Sequence, residues 1–235
     1  MSVPGRIEAA ALLLSLRPPE WFLRHSRAVA EVAGWLAARI VAAGTPLDRQ
    51  LVEVAALLHD VDKLLPADDP AAALPHGSGS AAWLARRGHP ELGAAVAAHP
   101  VTRLLDDASE RGWDGRATLE ERVVAYADKR AGQRLESLDA RFASWRRRYP
   151  PGAGGRDEGW AATPGASERG EGWDEATFRL VRERADRLEA DVCAAAGVRP
   201  EEVRRLTWTG RALRAARAWS AVGGSGETAR RRAAR

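Results

Sequence analysis

The 235-residue chain is poor in several features that define whole classes of protein. It has one cysteine, Cys193, which excludes an internal disulfide and fits the reducing conditions of the cytoplasm. No apolar run approaches the ~20 residues of a membrane-spanning helix. The short apolar stretch near the start follows Arg6 and Glu8 and is typical of a helix rather than a signal peptide. We therefore expect a soluble cytoplasmic protein.

Lysine is also scarce, because only two of the 36 basic residues are lysines. Arginine supplies the other positive charges, which gives a pI of 9.9 at a formal net charge of +4. The two lysines, Lys63 and Lys129, both lie in short motifs with aspartate, HDVDK and ADK. A compact ammonium group is a good point charge for a phosphate oxygen. Both lysines are therefore candidates for contacts with a phosphorylated ligand.

The sequence lacks the alternating runs of β-branched and aromatic residues that predict strands, and it has no internal repeat. Apolar residues instead recur at helical spacing, as in the stripe that joins His25 to Val29, Val32, Leu36 and Ile40. We therefore predict an all-α fold, a helical bundle with a C-terminal helical extension. The predicted helices cover roughly residues 6–16, 20–43, 46–60, 77–88, 90–99, 119–149, 174–196 and 200–206.

Changes in composition divide the chain into four parts. We expect a main domain at residues 1–149, a flexible Gly/Pro-rich linker or insertion at 150–172, C-terminal helices that pack on the core at 173–208, and a partly disordered Arg-rich tail at 209–235. Arginines in the tail could neutralise the phosphates of a nucleic acid. A solvated tail in an arginine-rich protein is the favoured interpretation.

Four of the five histidines and two aspartates form a candidate metal site, and each lies in or beside a predicted helix. They are His25, His59, Asp60, His76, His99 and Asp128. Taken singly, each histidine is more often a hydrogen-bonded core residue than a ligand. Their order and shared helical context favour a common site, whereas the fifth histidine, His89, is expected at a helix cap and stays outside the set.

Imidazole and carboxylate ligands suit Fe, Mn, Mg, Co, Ni or Zn. Adjacent residues on a helix point about 100° apart, so His59 can bind one ion while the carboxylate of Asp60 spans two. Two such ions can clamp a phosphoryl group and activate water. Because no serine or cysteine is arranged as a nucleophile, activated water is the expected attacker.

At these residues the sequence resembles the HD superfamily of metal-dependent phosphohydrolases, whose pattern is H…HD…D. The pattern is matched by His25, His59-Asp60 and Asp128, and HDVDK is similar to the HDIGK variant, with Val61-Asp62 where Ile-Gly is usual. The resemblance covers about residues 20–149.

Two further segments carry the resemblance. The segment from His76 to His99 is similar to the one that supplies two more histidines in binuclear, six-ligand members. VVAYADKRAGQRLESLDARFASWRRRY, residues 123–149, resembles the closing helix of a bacterial HDIG subgroup. No GYP motif follows, which argues against the branch that cleaves cyclic di-GMP. The branch that cleaves diadenosine tetraphosphate usually has HT where this chain has His99-Pro100.

The resemblance implies a role for each residue. His25, His59, Asp60 and Asp128 would hold a first ion, and Asp60 would bridge to a second ion on the remaining two histidines. Lys63 would meet the substrate phosphate, Asp62 would assist proton transfer, and Lys129 and Arg130 would be further phosphate contacts.

The implied function is hydrolysis of a phosphate ester or anhydride, of a nucleotide above all, with one or two divalent metal ions. The chain would act as a phosphomonoesterase or phosphodiesterase. The alternative is a catalytically weak HD-fold protein that binds a nucleotide or RNA as a regulator. The sequence carries no signal for oligomeric state.

Overall fold

The computed structural model describes residues 3–105, 112–148 and 174–219. Its α-helices, in chain order, are α1 Arg6–Ser15, α2 Glu20–Ala42, α3 Arg49–Leu58, α4 Ser78–Arg86, α5 Gly93–Ala97, α6 Leu119–Arg130, α7 Leu138–Arg148, α8 Glu175–Ala196 and α9, residues 208–219. Short 3-10 helices lie at Val61–Leu64, Pro70–Ala73, Pro90–Leu92, Val101–Leu104 and Pro200–Glu202. Within these ranges no strand occurs beyond an isolated bridge, which confirms the all-α prediction.

Side-chain caps fix several helix ends. Asp48 accepts a hydrogen bond from the amide of Leu51 and caps α3, so this helix begins at Arg49 and not at the predicted Pro46. Thr118 caps α6 in the predicted capping box. Asp174 caps α8 as predicted.

The long helix α2 lies at the centre of the core and packs against α3, α6 and α8. Its apolar stripe of Val29, Val32, Leu36 and Ile40 is fully buried. Burying such aliphatic side chains stabilises the fold by about 1.5–3 kcal/mol each. The same face continues to His25, so core packing fixes the position of this histidine.

The predicted single helix over residues 119–149 is wrong, because the chain leaves the helix after α6 and starts again at α7. Ala131 is extended and forms a bridge with Leu135. The amide of Glu136 donates to the carbonyl of Arg130 and closes the turn. This interruption frees the carbonyl of Gly132, which accepts a hydrogen bond from the His25 ring.

The chain after α8 is anchored to α2 by a buried carboxylate. Glu31 is 1% exposed and accepts hydrogen bonds from Arg205, at 3.0 and 2.5 Å, and from the hydroxyl of Thr209. A buried charge is tolerated when it is paired and hydrogen-bonded in this way. The C-terminal helices thus pack on the core within the described residues.

Residues 209–219, which the sequence assigned to the start of the tail, continue α9. The predicted linker at 150–172 and residues 220–235 of the predicted tail lie outside the described residues. The predicted domain boundaries stay predictions. Among the helices that the structure describes, none has the length and apolar character needed to cross a lipid bilayer.

Candidate metal centre

The structure brings all six predicted side chains to one place. They arrive from the N-terminal part of α2, the end of α3, the turn before α4, the segment after α5 and the last turn of α6. In that order the residues are His25, His59 with Asp60, His76, His99 and Asp128. Side chains spread over a hundred positions therefore converge because five separate segments meet at one end of the bundle.

Three of the residues form a group that we name the helix half: His25, His59 and Asp128. The two Nε2 atoms are 3.2 Å apart, and Asp128 Oδ1 lies 3.5 and 3.6 Å from them. Asp60 Oδ2 completes this group at 3.3 Å from His25 Nε2 and 3.5 Å from His59 Nε2. Two imidazole nitrogens and two carboxylate oxygens thus surround one point.

The other two histidines, His76 and His99, form what we name the loop half. Their Nε2 atoms are 3.1 Å apart. Asp60 Oδ1 lies 3.3 Å from the first and 3.2 Å from the second. The two oxygens of Asp60 therefore face different histidine pairs, which is the geometry of a bridging carboxylate.

Backbone carbonyls determine which ring nitrogens face the centre. The Nδ1 atoms of His25, His59 and His99 donate to the carbonyls of Gly132, Ala56 and Val96, at 2.9, 2.8 and 2.6 Å respectively. A carbonyl only accepts, so Nδ1 carries a proton and a neutral ring presents its Nε2 lone pair to the centre. Such fixing of the tautomer is typical of metal-binding histidines.

One atom at the centre has no hydrogen-bond donor. Asp60 is 2% exposed, and its buried Oδ1 accepts no hydrogen bond from the described residues. An ionised oxygen buried without a donor is costly unless a cation lies beside it. The donor set of imidazole nitrogens and carboxylate oxygens therefore fits divalent metal ions. Two groups of these side chains have the spacing needed to hold an ion, and so does a third group that joins Asp62 to Asp60 and His76.

The electrostatics favour cations at the same point. Burial opposes ionisation of Asp60, but the charges of His59 and Lys63 hold the pKa of this carboxyl well below its usual range. Burial also opposes ionisation of Asp128, and contacts with His25 and His59 keep its pKa well below the usual range. Both carboxylates are therefore anionic at neutral pH.

The histidine pKa values differ between neighbours. Burial lowers the pKa of His99 to about 4, so this ring is neutral. Burial also disfavours the charged forms of His25 and His76, but contacts with nearby aspartates outweigh it and raise both pKa values to about 9. Without a metal ion, protons on these two rings compensate part of the carboxylate charge.

Lys63 lies at the edge of the cluster. Its Nζ is 2.7 Å from Asp60 Oδ2, and its side chain is 14% exposed. The two residues are three positions apart, which places the ammonium over the bridging carboxylate. This partly exposed position suits the predicted contact with a substrate phosphate.

Asp62 lies behind His76 rather than at the centre. Its carboxylate accepts hydrogen bonds from His76 Nδ1, at 3.0 Å to Oδ2, and from the amide of Gly77 at 2.7 Å. Contact with His76 overcomes the effect of burial and lowers the pKa of Asp62. An anionic carboxylate already occupied by two donors is poorly suited to the proton transfer that the resemblance implied.

Lys129 and Arg130 do not lie where phosphate contacts require them. Lys129 is 1% exposed, and its Nζ donates to the carbonyls of His99 at 2.9 Å and Ala125 at 3.1 Å. Burial lowers its pKa to about 8. Successive helix residues point about 100° apart, so the side chain after Asp128 points into the core.

Arg130 is turned further from the centre and packs toward α8. Its Nη1 lies 2.5 Å from the hydroxyl of Tyr126 and 2.9 Å from Glu189, and its Nη2 donates to the carbonyl of Pro200. The expected substrate contacts of Lys129 and Arg130 are therefore corrected to structural ones. His89 lies at the start of a 3-10 helix, outside the cluster, as predicted.

The carbonyls of Gly132, Ala56 and Val96 are the part of the site that the sequence did not reveal. Backbone acceptors leave no residue-type signal, because any amino acid supplies a carbonyl. Only Gly132 gave a hint, as a glycine inside an apparently continuous helix.

The fold and this cluster define an all-α protein with a histidine–aspartate centre able to hold metal ions. The family model of the HD domain matches residues 22–132, a range that contains all six side chains. Residues 22–132 therefore match the HD domain, which confirms the predicted resemblance. The HD domain is the domain of a superfamily of metal-dependent phosphohydrolases. Neither the curated proteins nor the solved structures gave a match.

Proposed function

We propose that the chain hydrolyses a phosphate ester or anhydride of a nucleotide, with two divalent metal ions bound on either side of Asp60. The observation that carries this proposal is the split carboxylate, whose Oδ2 faces His25 and His59 while its buried Oδ1 faces the loop half without a hydrogen-bond donor. A single-ion site has no need for a carboxylate held in this way.

Bound at these positions, divalent ions would neutralise the charge of a phosphoryl group and lower the pKa of a coordinated water. The chain itself supplies the rest. After loss of the protons on His25 and His76, the histidines would present unprotonated Nε2 atoms, and the two buried aspartates supply negative charge. Lys63, whose Nζ lies 2.7 Å from Asp60 Oδ2, can turn to a phosphate oxygen and orient the substrate.

An exposed aromatic ring supports a nucleotide as the substrate. Trp21 lies four residues before His25 on α2, so the two side chains share one face of the helix. It is 47% exposed, whereas most large apolar residues of the described chain are buried. An indole at this position can stack on a nucleobase, which contributes about 1–3 kcal/mol per base.

The test is a turnover screen of the full chain, stripped of metal and reloaded with Mn²⁺ or, without oxygen, Fe²⁺. The panel contains nitrophenyl mono- and diesters, nucleoside mono-, di- and triphosphates, cyclic nucleotides and dinucleoside polyphosphates. We expect metal-dependent release of phosphate or nucleotide from at least one nucleotide substrate.

The matched control compares two histidine variants. His59→Ala removes a predicted ligand, and His89→Ala removes the histidine outside the cluster. Turnover should disappear in the first variant and persist in the second. Tight metal binding without turnover on any substrate would contradict the enzyme proposal and favour a regulatory nucleotide-binding protein.

A further inference from the structure

Asp62 lies beside the cluster, and the proposed chemistry gives it no role. Its Oδ2 and Oδ1 are 3.0 and 3.2 Å from Nδ1 on the outer edge of the His76 ring. On the inner edge, Nε2 lies 3.3 Å from Asp60 Oδ1. Because the two ring nitrogens point away from each other, the two aspartates hold His76 from opposite edges.

The segment HGSGS, residues 76–80, consists of a turn and the first residues of α4, and it is folded around this carboxylate. The amide of Gly77 donates to Asp62 Oδ2 at 2.7 Å, and the amide of Asp62 donates to Ser80 Oγ at 2.9 Å. The backbone and the side chain of Asp62 are therefore both tied to the segment that carries His76.

Two glycines, Gly77 and Gly79, allow the segment of residues 76–80 to pack closely against Asp62. A Cβ at Gly79 would lie 2.5 Å from the carbonyl oxygen of Ala71 and 3.0 Å from the Cβ of Asp62. Gly77 has a φ of +81°, and a Cβ there would lie 2.9 Å from Pro100. Larger residues at either position would push this segment away from Asp62.

His76 is held differently from the other histidines of the cluster. His25, His59 and His99 donate their Nδ1 protons to backbone carbonyls, whereas His76 donates to a carboxylate. A carboxylate partner fixes ring orientation and tautomer, and it raises the basicity of the ligating nitrogen. His76 lies in a turn before α4, so its ring depends on such a contact for its orientation.

We infer that Asp62 is a positioning residue that holds His76 as a ligand of the second ion and thereby determines how tightly that ion binds. The inference rests on the proposed two-ion site. In the HDIGK pattern a glycine occupies this position, so the contact belongs to this chain's own HDVDK motif.

The experiment is a Mn²⁺ titration of the full chain, with free Mn²⁺ measured by electron paramagnetic resonance. We expect two ions in the unchanged protein. Asp62→Ala should weaken the second ion by about 10–100-fold, the usual effect of losing such a partner, and leave the first unchanged. Asp62→Asn, whose amide oxygen still accepts from Nδ1, should retain more of this affinity.

Asp68→Asn is the matched control, because Asp68 is exposed in the following loop. The protein with this substitution should bind both ions normally. An unchanged second dissociation constant in Asp62→Ala would overturn the inference. So would equal losses in the Ala and Asn variants, since Asp62 would then be a direct ligand. Binding of only one ion by the unchanged protein would overturn it as well.

Circular dichroism and the first dissociation constant report whether Asp62→Ala is folded. If Asp62→Ala does not fold, the test uses Asp62→Asn. A moderate loss of affinity for the second ion alone would support the positioning role. No loss, or a loss beyond about 100-fold, contradicts it. If two ions bind with the expected variant pattern but no phosphoester is cleaved, the proposed function fails and this inference stands.

Discussion

The helix half and the loop half of the centre are built in different ways. The helix half takes its ligands from α2, from the C-cap residue of α3 and from α6, and these three helices pack against one another in the core. The loop half takes His76 from a turn and His99 from the segment after the five-residue helix α5. Core packing therefore holds the first group, whereas local side-chain contacts hold the second.

Those local contacts can be named. His76 is held by Asp62, and the carbonyl of His99 accepts a hydrogen bond from Lys129 on α6. Because helices in a packed core move less than short connecting segments, we expect the helix half to bind its ion more tightly. Substitutions near the centre should then cause loss of the ion of the loop half before loss of the ion of the helix half.

The largest effect should come from removing the residue that both halves share. Asp60→Asn replaces the bridging carboxylate by a neutral amide, so both ions should bind poorly and turnover should be lost. The loss should exceed the 10–100-fold effect typical of residues outside the ligand set. Metal analysis after dialysis measures it, and retention of two ions in this variant would contradict the bridging role.

Single-histidine variants should separate the halves. His59→Ala should lose the ion of the helix half, whereas His99→Ala should keep that ion and lose the other. Stoichiometry from elemental analysis, together with Mn²⁺ titration, distinguishes the two. If each variant loses both ions together, the halves bind as one cooperative unit and the comparison breaks down.

A smaller effect is expected where the C-terminal extension supports the helix half. Glu189→Leu removes the carboxylate that pairs with Arg130, and the side chains of this pair are only 15% and 6% exposed. Leaving a buried guanidinium without its partner should destabilise the fold by about 3 kcal/mol. Denaturant unfolding measures this free energy, and the number of bound ions should stay at two.

The matched control is Glu183→Leu, also on α8. Its partner Arg187 is 52% exposed, and such surface pairs contribute at most about 1 kcal/mol. Equal destabilisation by both substitutions would show that the pairing of Arg130 and Glu189 contributes no more than a surface contact.

The smallest effect is proton release on metal uptake. In the metal-free protein His25 and His76 have pKa values of about 9, so both are protonated at pH 7. A ligating Nε2 must lose its proton, and each half should therefore release about one proton per ion. Metal affinity should rise with pH up to about pH 9 and level off above it.

Calorimetry at pH 7 in two buffers of different ionisation enthalpy measures this release. Identical binding heats in both buffers would mean that no proton leaves, and that both rings are neutral before the ion arrives.

Local signals in the sequence predicted much of the fold. The cap at Thr118 gives the observed start of α6, and Asp174 and Gly197 give the observed start and end of α8. The break after α6 was missed because apolar residues keep their helical spacing through Leu135 and Leu138. Tertiary contacts, among them the bond from His25 to Gly132, stabilise the interruption, and periodicity carries no information on them.

The convergence of the six side chains could be expected from their order along the chain, but their neighbours could not be assigned. Lys129 and Arg130 were predicted at the phosphate because they follow Asp128. Each further residue turns by about 100°, however, which points Lys129 into the core and Arg130 toward α8. Asp62 contacts His76, which lies fourteen residues away in a turn. Motif proximity therefore predicts which residues gather but not the direction in which each one points.

Anomalous scattering from crystals of the full chain grown with Mn²⁺ tests the bridging role of Asp60 most directly. The account predicts two peaks about 3.5–4 Å apart, one beside His25 and His59 and the other beside His76 and His99, with Asp60 between them. A fully loaded crystal with a single peak, or with ions away from Asp60, would contradict it.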